Sequence, residues 1–145
     1  MPSSPLTSAE IAALHQRATE AARNSYSPYS QFRVGAAVLL HADARQPGEI
    51  STGTNVENAS YRLTTCAEQA AIAAAVSLYG PDIRIRAVAV VNLNGAACMP
   101  CGACRQTILE FSSAETAIFY PSATGETVST TLGALLPAAF RLPPE

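Results

Sequence analysis

Thr65-Cys66-Ala67-Glu68-Gln69-Ala70-Ala71-Ile72-Ala73-Ala74-Ala75-Val76 is the stretch on which the fold turns, and Pro100-Cys101-Gly102-Ala103-Cys104 answers it. From Ala70 onward the first run is apolar nearly all round, which predicts a helix over about 65–78 buried between layers. Tyr79-Gly80-Pro81-Asp82 ends it. The second run opens another helix, over about 100–111. Both thiol clusters therefore fall at helix N-termini, where free N–H groups and the helix dipole favour negative charge and so thiolates. Cys101 and Cys104 stand at i and i+3, facing the same way on a first turn. With Cys66 they make three thiolates, and a zinc site with three protein ligands keeps its fourth position for water. Glu68, two residues after Cys66, can point at that open position without binding the metal and carry protons there. A first-turn glutamate alone reads as a complement to the helix dipole. Beside three thiols at this spacing the proton carrier is the better reading.

Working outward, Thr7 with Glu10 three residues later forms a capping box. Ile11, Leu14, Ala18, Ala21 and Ala22 recur at helical spacing, so a packing helix runs to about Asn24 after a loose tail over 1–6. Ser27-Pro28-Tyr29-Ser30 is a turn. Residues 33–41 read as a buried strand, 42–48 with Pro47-Gly48 as a turn, and 49–56 as a strand returning antiparallel in a hairpin. A loop over 57–64 leads to the first thiol. Residues 85–91 form a continuous apolar run, as a central strand does. Asn92-Leu93-Asn94-Gly95 turns the chain. Strands follow at 116–120 and, more weakly, 126–129, with a short helix over 132–136 capped by Thr130 or Thr131. The order αββαβαββα suggests one central sheet with helices on both faces.

Composition narrows the function. A chain of 145 residues is most simply one domain, 1–145, large enough to bury a core without staples. It is 48% hydrophobic and 14% charged, a balance that favours covering part of its apolar surface by association. Net charge is −2 and no Lys or Arg block occurs, so no positive footprint for nucleic acid is present and a small molecule is the expected partner. Neither a signal peptide nor an apolar run of membrane-spanning length is seen, which points to a cytoplasmic protein without a membrane partner. In that compartment four cysteines are thiols or metal ligands rather than disulfides. A closed structural zinc knuckle would need a fourth ligand. Cys98 is the candidate, ahead of His15 in the packing helix and His41 at a strand end. Cys98 reads better as a small apolar residue near the site.

The Cys-x-Glu…Pro-Cys-x-x-Cys spacing is the thiol-only form of a pattern known for zinc nucleobase deaminases. Around it stand Ser27-Pro28-Tyr29-Ser30-Gln31-Phe32-Arg33-Val34-Gly35-Ala36-Ala37, Asn55-Val56-Glu57-Asn58-Ala59-Ser60-Tyr61, Arg105-Gln106 and Leu135-Leu136-Pro137-Ala138-Ala139-Phe140. In these blocks the chain resembles the short, homotetrameric class of cytidine deaminases over nearly its whole length, from Tyr26 to Phe140. The resemblance implies a three-layer α/β/α sandwich around a mixed five-stranded sheet. It implies one zinc per subunit on Cys66, Cys101 and Cys104, with Glu68 as proton shuttle. It further implies that Asn55 and Glu57 hold the ribose, that Phe32 lines the pyrimidine pocket, and that the backbone at Cys66-Ala67 reads the base edge. Phe140 would stack on the base of a neighbouring subunit, and Ala59 and Tyr61 would reach across the same boundary. The implied activity is hydrolysis of cytidine and deoxycytidine to uridine and deoxyuridine in pyrimidine salvage.

One position departs from that class. After the glutamate many members carry Arg, which donates to the thiolates and offsets their surplus charge; here it is Gln69, a neutral donor. Arg105 is the candidate for compensating it, with a helix-surface role the alternative. Gln69 also bears on pocket shape, which keeps a deaminase of N4-modified cytidine or of a cytosine-containing nucleoside antibiotic in view. A non-catalytic zinc module is disfavoured by Glu68, and a polynucleotide editor by the lack of basic flanks.

Overall fold

The computed structural model describes residues 5–42 and 48–142. The first helix, α1 (Ser8–Ala22), begins at Thr7, whose hydroxyl accepts from the Glu10 N–H while the Glu10 carboxylate accepts from the Thr7 N–H. Leu14, Ala18 and Ala22 line its buried stripe. Strand β1 (Val34–Leu40) is buried at every position, because both faces of the sheet are covered. It pairs antiparallel with β2 (Ile50–Thr54), Gly35 opposite Thr54 and Leu39 opposite Ile50. The hairpin is thus present, while most of its turn, residues 43–47, lies outside the described residues. The expected loop over 57–64 contains one turn of 3-10 helix, Tyr61–Leu63.

Helix α2 (Ala67–Tyr79) leads into β3 (Ile85–Asn92), then α3 (Gly102–Glu110), β4 (Ala117–Pro121), β5 (Thr127–Thr131) and a single turn, α4 (Leu132–Leu135). The sheet order is β2-β1-β3-β4-β5. Only β3 and β4 run parallel, since α3 provides the crossover between them; the other pairs are antiparallel. Alternate residues of β1 feed two cores. Ala36, Val38 and Leu40 pack with α2, α3 and α4, and Ala37 and Leu39 pack with α1. The result is a mixed five-stranded sheet between helical layers, as expected. Among the described residues no helix is long and apolar enough to cross a membrane.

Helix α2 differs from its expected placement between layers. Ala71, Ile72 and Ala75 are buried against the sheet, but Ala73, Ser77 and Leu78 face outward, Leu78 being 70% exposed. An alanine-rich run carries no periodic polar face, so it cannot tell a helix buried on both sides from one covered on one side by its own chain.

Candidate metal centre and active site

Two short backbone pairings stitch the site together. Tyr26 bridges to Val56, and Val56 bridges to Thr65, joining the exit of α1, the 55–57 segment and the first thiol loop. Cys66 and Cys101 then cap α2 and α3 with extended backbones, one residue outside the helices rather than within their first turns. Cys104 is wholly buried inside the first turn of α3. The i, i+3 relation still brings Cys101 and Cys104 sulfurs to 3.5 Å, and all three sulfurs lie within 4.8 Å of one another. A tetrahedral zinc with Zn–S near ~2.3 Å needs sulfurs about 3.8 Å apart. The donor set and its spacing therefore fit zinc, held by Cys66, Cys101 and Cys104.

Without a cation these thiols share protons. Hydrogen bonding from Cys104 draws the Cys66 thiol down to about 7, against opposing burial and the Glu68 charge. Cys104, as proton donor to Cys66, is correspondingly raised. Cys98 stands outside the cluster, and burial pushes its thiol up to about 11. After chelation, Cys66 should therefore alkylate half-maximally near a pH of about 7, while Cys98 stays protected until near about 11. Peptide mass spectrometry across pH checks the order; faster labelling of Cys98 would contradict it.

Glu68 is only 5% exposed. Burial raises its carboxyl, opposed by its own backbone N–H and by Cys104. A bound dication pulls the other way. A carboxyl set between these influences is suited to both taking and giving a proton. Gln69 donates its amide to Cys104 Sγ at 3.7 Å, so it supplies a hydrogen bond to the thiolate but no charge. Arg105 is committed away from the cysteine sulfurs. Its guanidinium donates to the Pro100 and Leu135 carbonyls, both at 2.7 Å, and its third arm lies against Met99 Sδ. It fixes the backbone leading into Cys101 and ties it to the end of α4.

The other expected residues divide between interior and surface. Ala67 is buried at the start of α2. Phe32 packs at the edge of the main core, and its carbonyl accepts from Asn55 Nδ2 at 2.7 Å. Glu57 accepts from the Tyr29 and Ser30 N–H groups at 3.0 and 3.2 Å and from the Ser30 hydroxyl. The Ser30 side chain and these N–H groups hold its carboxyl below the usual range. A cleft of about 390 Å³ opens there, lined by Tyr29, Ser30, Glu57, Tyr61 and Thr64. Ala59, Tyr61 and Phe140 lie on the surface, Tyr61 and Phe140 being 75% and 71% exposed. Tyr61 meets Tyr29 edge to face, 6.1 Å between ring centres. Gln106 donates to the Phe140 carbonyl, which places the tail beside α3. The sequence reading gave no role to Ser30 or Ser25, although both sit in a serine-rich turn before β1.

A sheet flanked by helices whose N-termini carry three converging thiols and a buried glutamate defines a zinc centre of the deaminase kind. The family model for the cytidine and deoxycytidylate deaminase zinc-binding region matches residues 8–120. A cytidine deaminase from Mycobacterium tuberculosis is 45% identical over 129 residues, covering 89% of this chain and 88% of the relative. One from Halalkalibacterium halodurans is 40% identical over 127 residues, covering 88% and 91%. The crystal structure of the Mycobacterium tuberculosis cytidine deaminase superposes with a TM-score of 0.77 at 43% identity, covering 92% of this chain and 98% of that one. The chain belongs to the zinc-dependent cytidine and deoxycytidylate deaminase family.

Proposed function

We infer that this chain, as a single deaminase domain, converts cytidine and deoxycytidine to uridine and deoxyuridine with release of ammonia, as a cytoplasmic enzyme of pyrimidine salvage. The observation that carries the reading is the buried Glu68 beside the Cys66, Cys101 and Cys104 triad. A zinc ion held there supplies a Lewis acid that makes water acidic enough to attack at neutral pH. Glu68 takes the proton of the attacking water and delivers it to N3 of the base, which makes C4 electrophilic. Oxygen adds to C4. Glu68 then carries the remaining hydroxyl proton to the 4-amino group, the C4–N bond breaks and ammonia leaves, so one water is consumed per base. Gln69 stabilises the Cys104 thiolate by donation alone.

Asn55 and Glu57 hold the sugar, Phe32 lines the base pocket, and the backbone at Ala67 faces the base edge. Ala59, Tyr61 and Phe140 serve a neighbouring subunit of a homotetramer with one zinc each. Their exposure in the isolated chain, with that of Leu78 on α2, supports this placement. The test is loss of cytidine absorbance with zinc-loaded protein, compared with free cytosine and N4-substituted cytidines. Turnover of cytidine well above cytosine is expected. No cytidine turnover by zinc-replete protein would overturn the reading, and a preference for a bulky N4 substituent would replace the substrate.

A further inference from the structure

Asn55 is 9% exposed, and its side-chain amide is almost fully committed. The Val34 N–H, which can only donate, lies 3.0 Å from Oδ1, and the Phe32 carbonyl, which can only accept, lies 2.7 Å from Nδ2. These two backbone groups of fixed polarity set which way the amide is turned. The Ser25 hydroxyl then completes Oδ1 by donating to it at 2.5 Å. An amide offers two acceptor sites and two hydrogens, so one Nδ2 hydrogen remains. Glu57 is used in the same way: three of its four acceptor sites are filled by the Tyr29 N–H, the Ser30 N–H and the Ser30 hydroxyl. What is left is one donor on Asn55 and one acceptor on Glu57, the complement of a sugar hydroxyl.

Ser25 is the adaptable member of this arrangement. It follows the end of α1, its N–H donating to the Ala22 carbonyl at 3.2 Å, and its hydroxyl lies 3.1 Å from that of Ser27. The next residue, Tyr26, exchanges backbone bonds with the segment that carries the sugar residues: its N–H donates to the Asn55 carbonyl and its carbonyl accepts from the Glu57 N–H. We propose that Ser25 is a positioning residue for substrate binding, which locks the Asn55 amide from the end of α1 so that its one free hydrogen is presented to the sugar. This rests on the reading of Asn55 and Glu57 as sugar-holding residues.

The test compares cytidine with 2′,3′-dideoxycytidine, which lacks the hydroxyls that Asn55 and Glu57 would read, in wild-type, Ser25→Ala and Ser25→Thr proteins. Ser25→Ala should raise KM for cytidine about tenfold with kcat nearly unchanged, the worth of one hydrogen bond. The dideoxy substrate should lose nothing, and Ser25→Thr should restore cytidine binding by returning the hydroxyl. The ratio of kcat/KM for the two substrates does not depend on how much protein is folded, so a partly unfolded variant is still informative. Equal losses on both substrates, or no loss on cytidine, would overturn the positioning role while leaving the deaminase reading intact. A wild-type protein that does not distinguish the two substrates would remove the sugar-holding role of Asn55 and Glu57, and the proposal with it. Absence of any cytidine turnover in the wild type would overturn the functional reading itself, and the role of Ser25 in substrate binding along with it.

Discussion

Glu68→Gln should lower kcat for cytidine by roughly 10⁴-fold while zinc content stays at the wild-type level. The amide has the size and planarity of the carboxyl but cannot accept and return a proton at neutral pH. In the proposed mechanism both proton movements, to N3 and to the departing amino group, pass through the same atoms, so one substitution would remove both. KM should change little, because the loss falls on steps after binding. Stability gives a second readout. Burial disfavours the charged form of Glu68, which is why its carboxyl is raised, and a carboxyl raised above its unfolded value costs stability at pH above both values. In the zinc-free protein, where no dication opposes the effect of burial, removing that charge should leave the melting temperature unchanged or higher. A variant with intact zinc and more than a tenth of wild-type kcat would remove Glu68 from the chemistry, whereas loss of zinc would make it part of the metal's support.

The residues that announce this site are those whose chemistry is local in sequence. Cys101 and Cys104 are one helical turn apart and Glu68 is two residues from Cys66, so spacing alone brings each set together. The Thr7–Glu10 box and the apolar runs of β1 and β3 are legible for the same reason: their partners are neighbours in the chain or their pattern has one period. What stays hidden depends on distant partners. Arg105, which sequence left open as a charge donor to the thiolates, instead finds the carbonyl of Leu135, and Asn55 finds Ser25 and Val34 across the fold. No pattern in the chain encodes those pairings. The exposure of α2 is hidden for another reason, since alanine is equally at ease in either environment. Nor does the sequence show that Gln69 reaches Cys104, because that contact depends on how closely α2 and α3 approach.

Two glycines on opposite faces of one hairpin set how closely α1 and α2 approach the sheet, and they are expected to fail differently. A Cβ at Gly35 would lie 1.9 Å from the Ala18 carbonyl oxygen and 2.6 Å from the Ala22 nitrogen, both backbone of α1. A Cβ at Gly53 would lie 2.4 Å from the Ala71 nitrogen and 2.6 Å from the Ala67 carbonyl oxygen, the first turn of α2. Backbone inside a helix cannot step aside atom by atom, so in each case the whole helix must lift. Either substitution to Ala should cost roughly 3 kcal/mol, or about 10 °C in melting temperature. Gly35→Ala moves α1, which carries no zinc ligand, and the folded fraction should keep its kcat. Gly53→Ala lifts the helix that Cys66 caps and Glu68 begins, against the Ser51 hydroxyl that holds the Ala71 carbonyl at 2.8 Å. Ordinary van der Waals contact requires a shift of about 1 Å, and a displacement of that size at a reacting group costs roughly a hundredfold in rate. Gly53→Ala should therefore lose zinc affinity and kcat beyond its loss of stability. Equal behaviour of the two variants, with stability falling and the kcat of folded protein intact, would mean that β2 does not set the position of the catalytic helix.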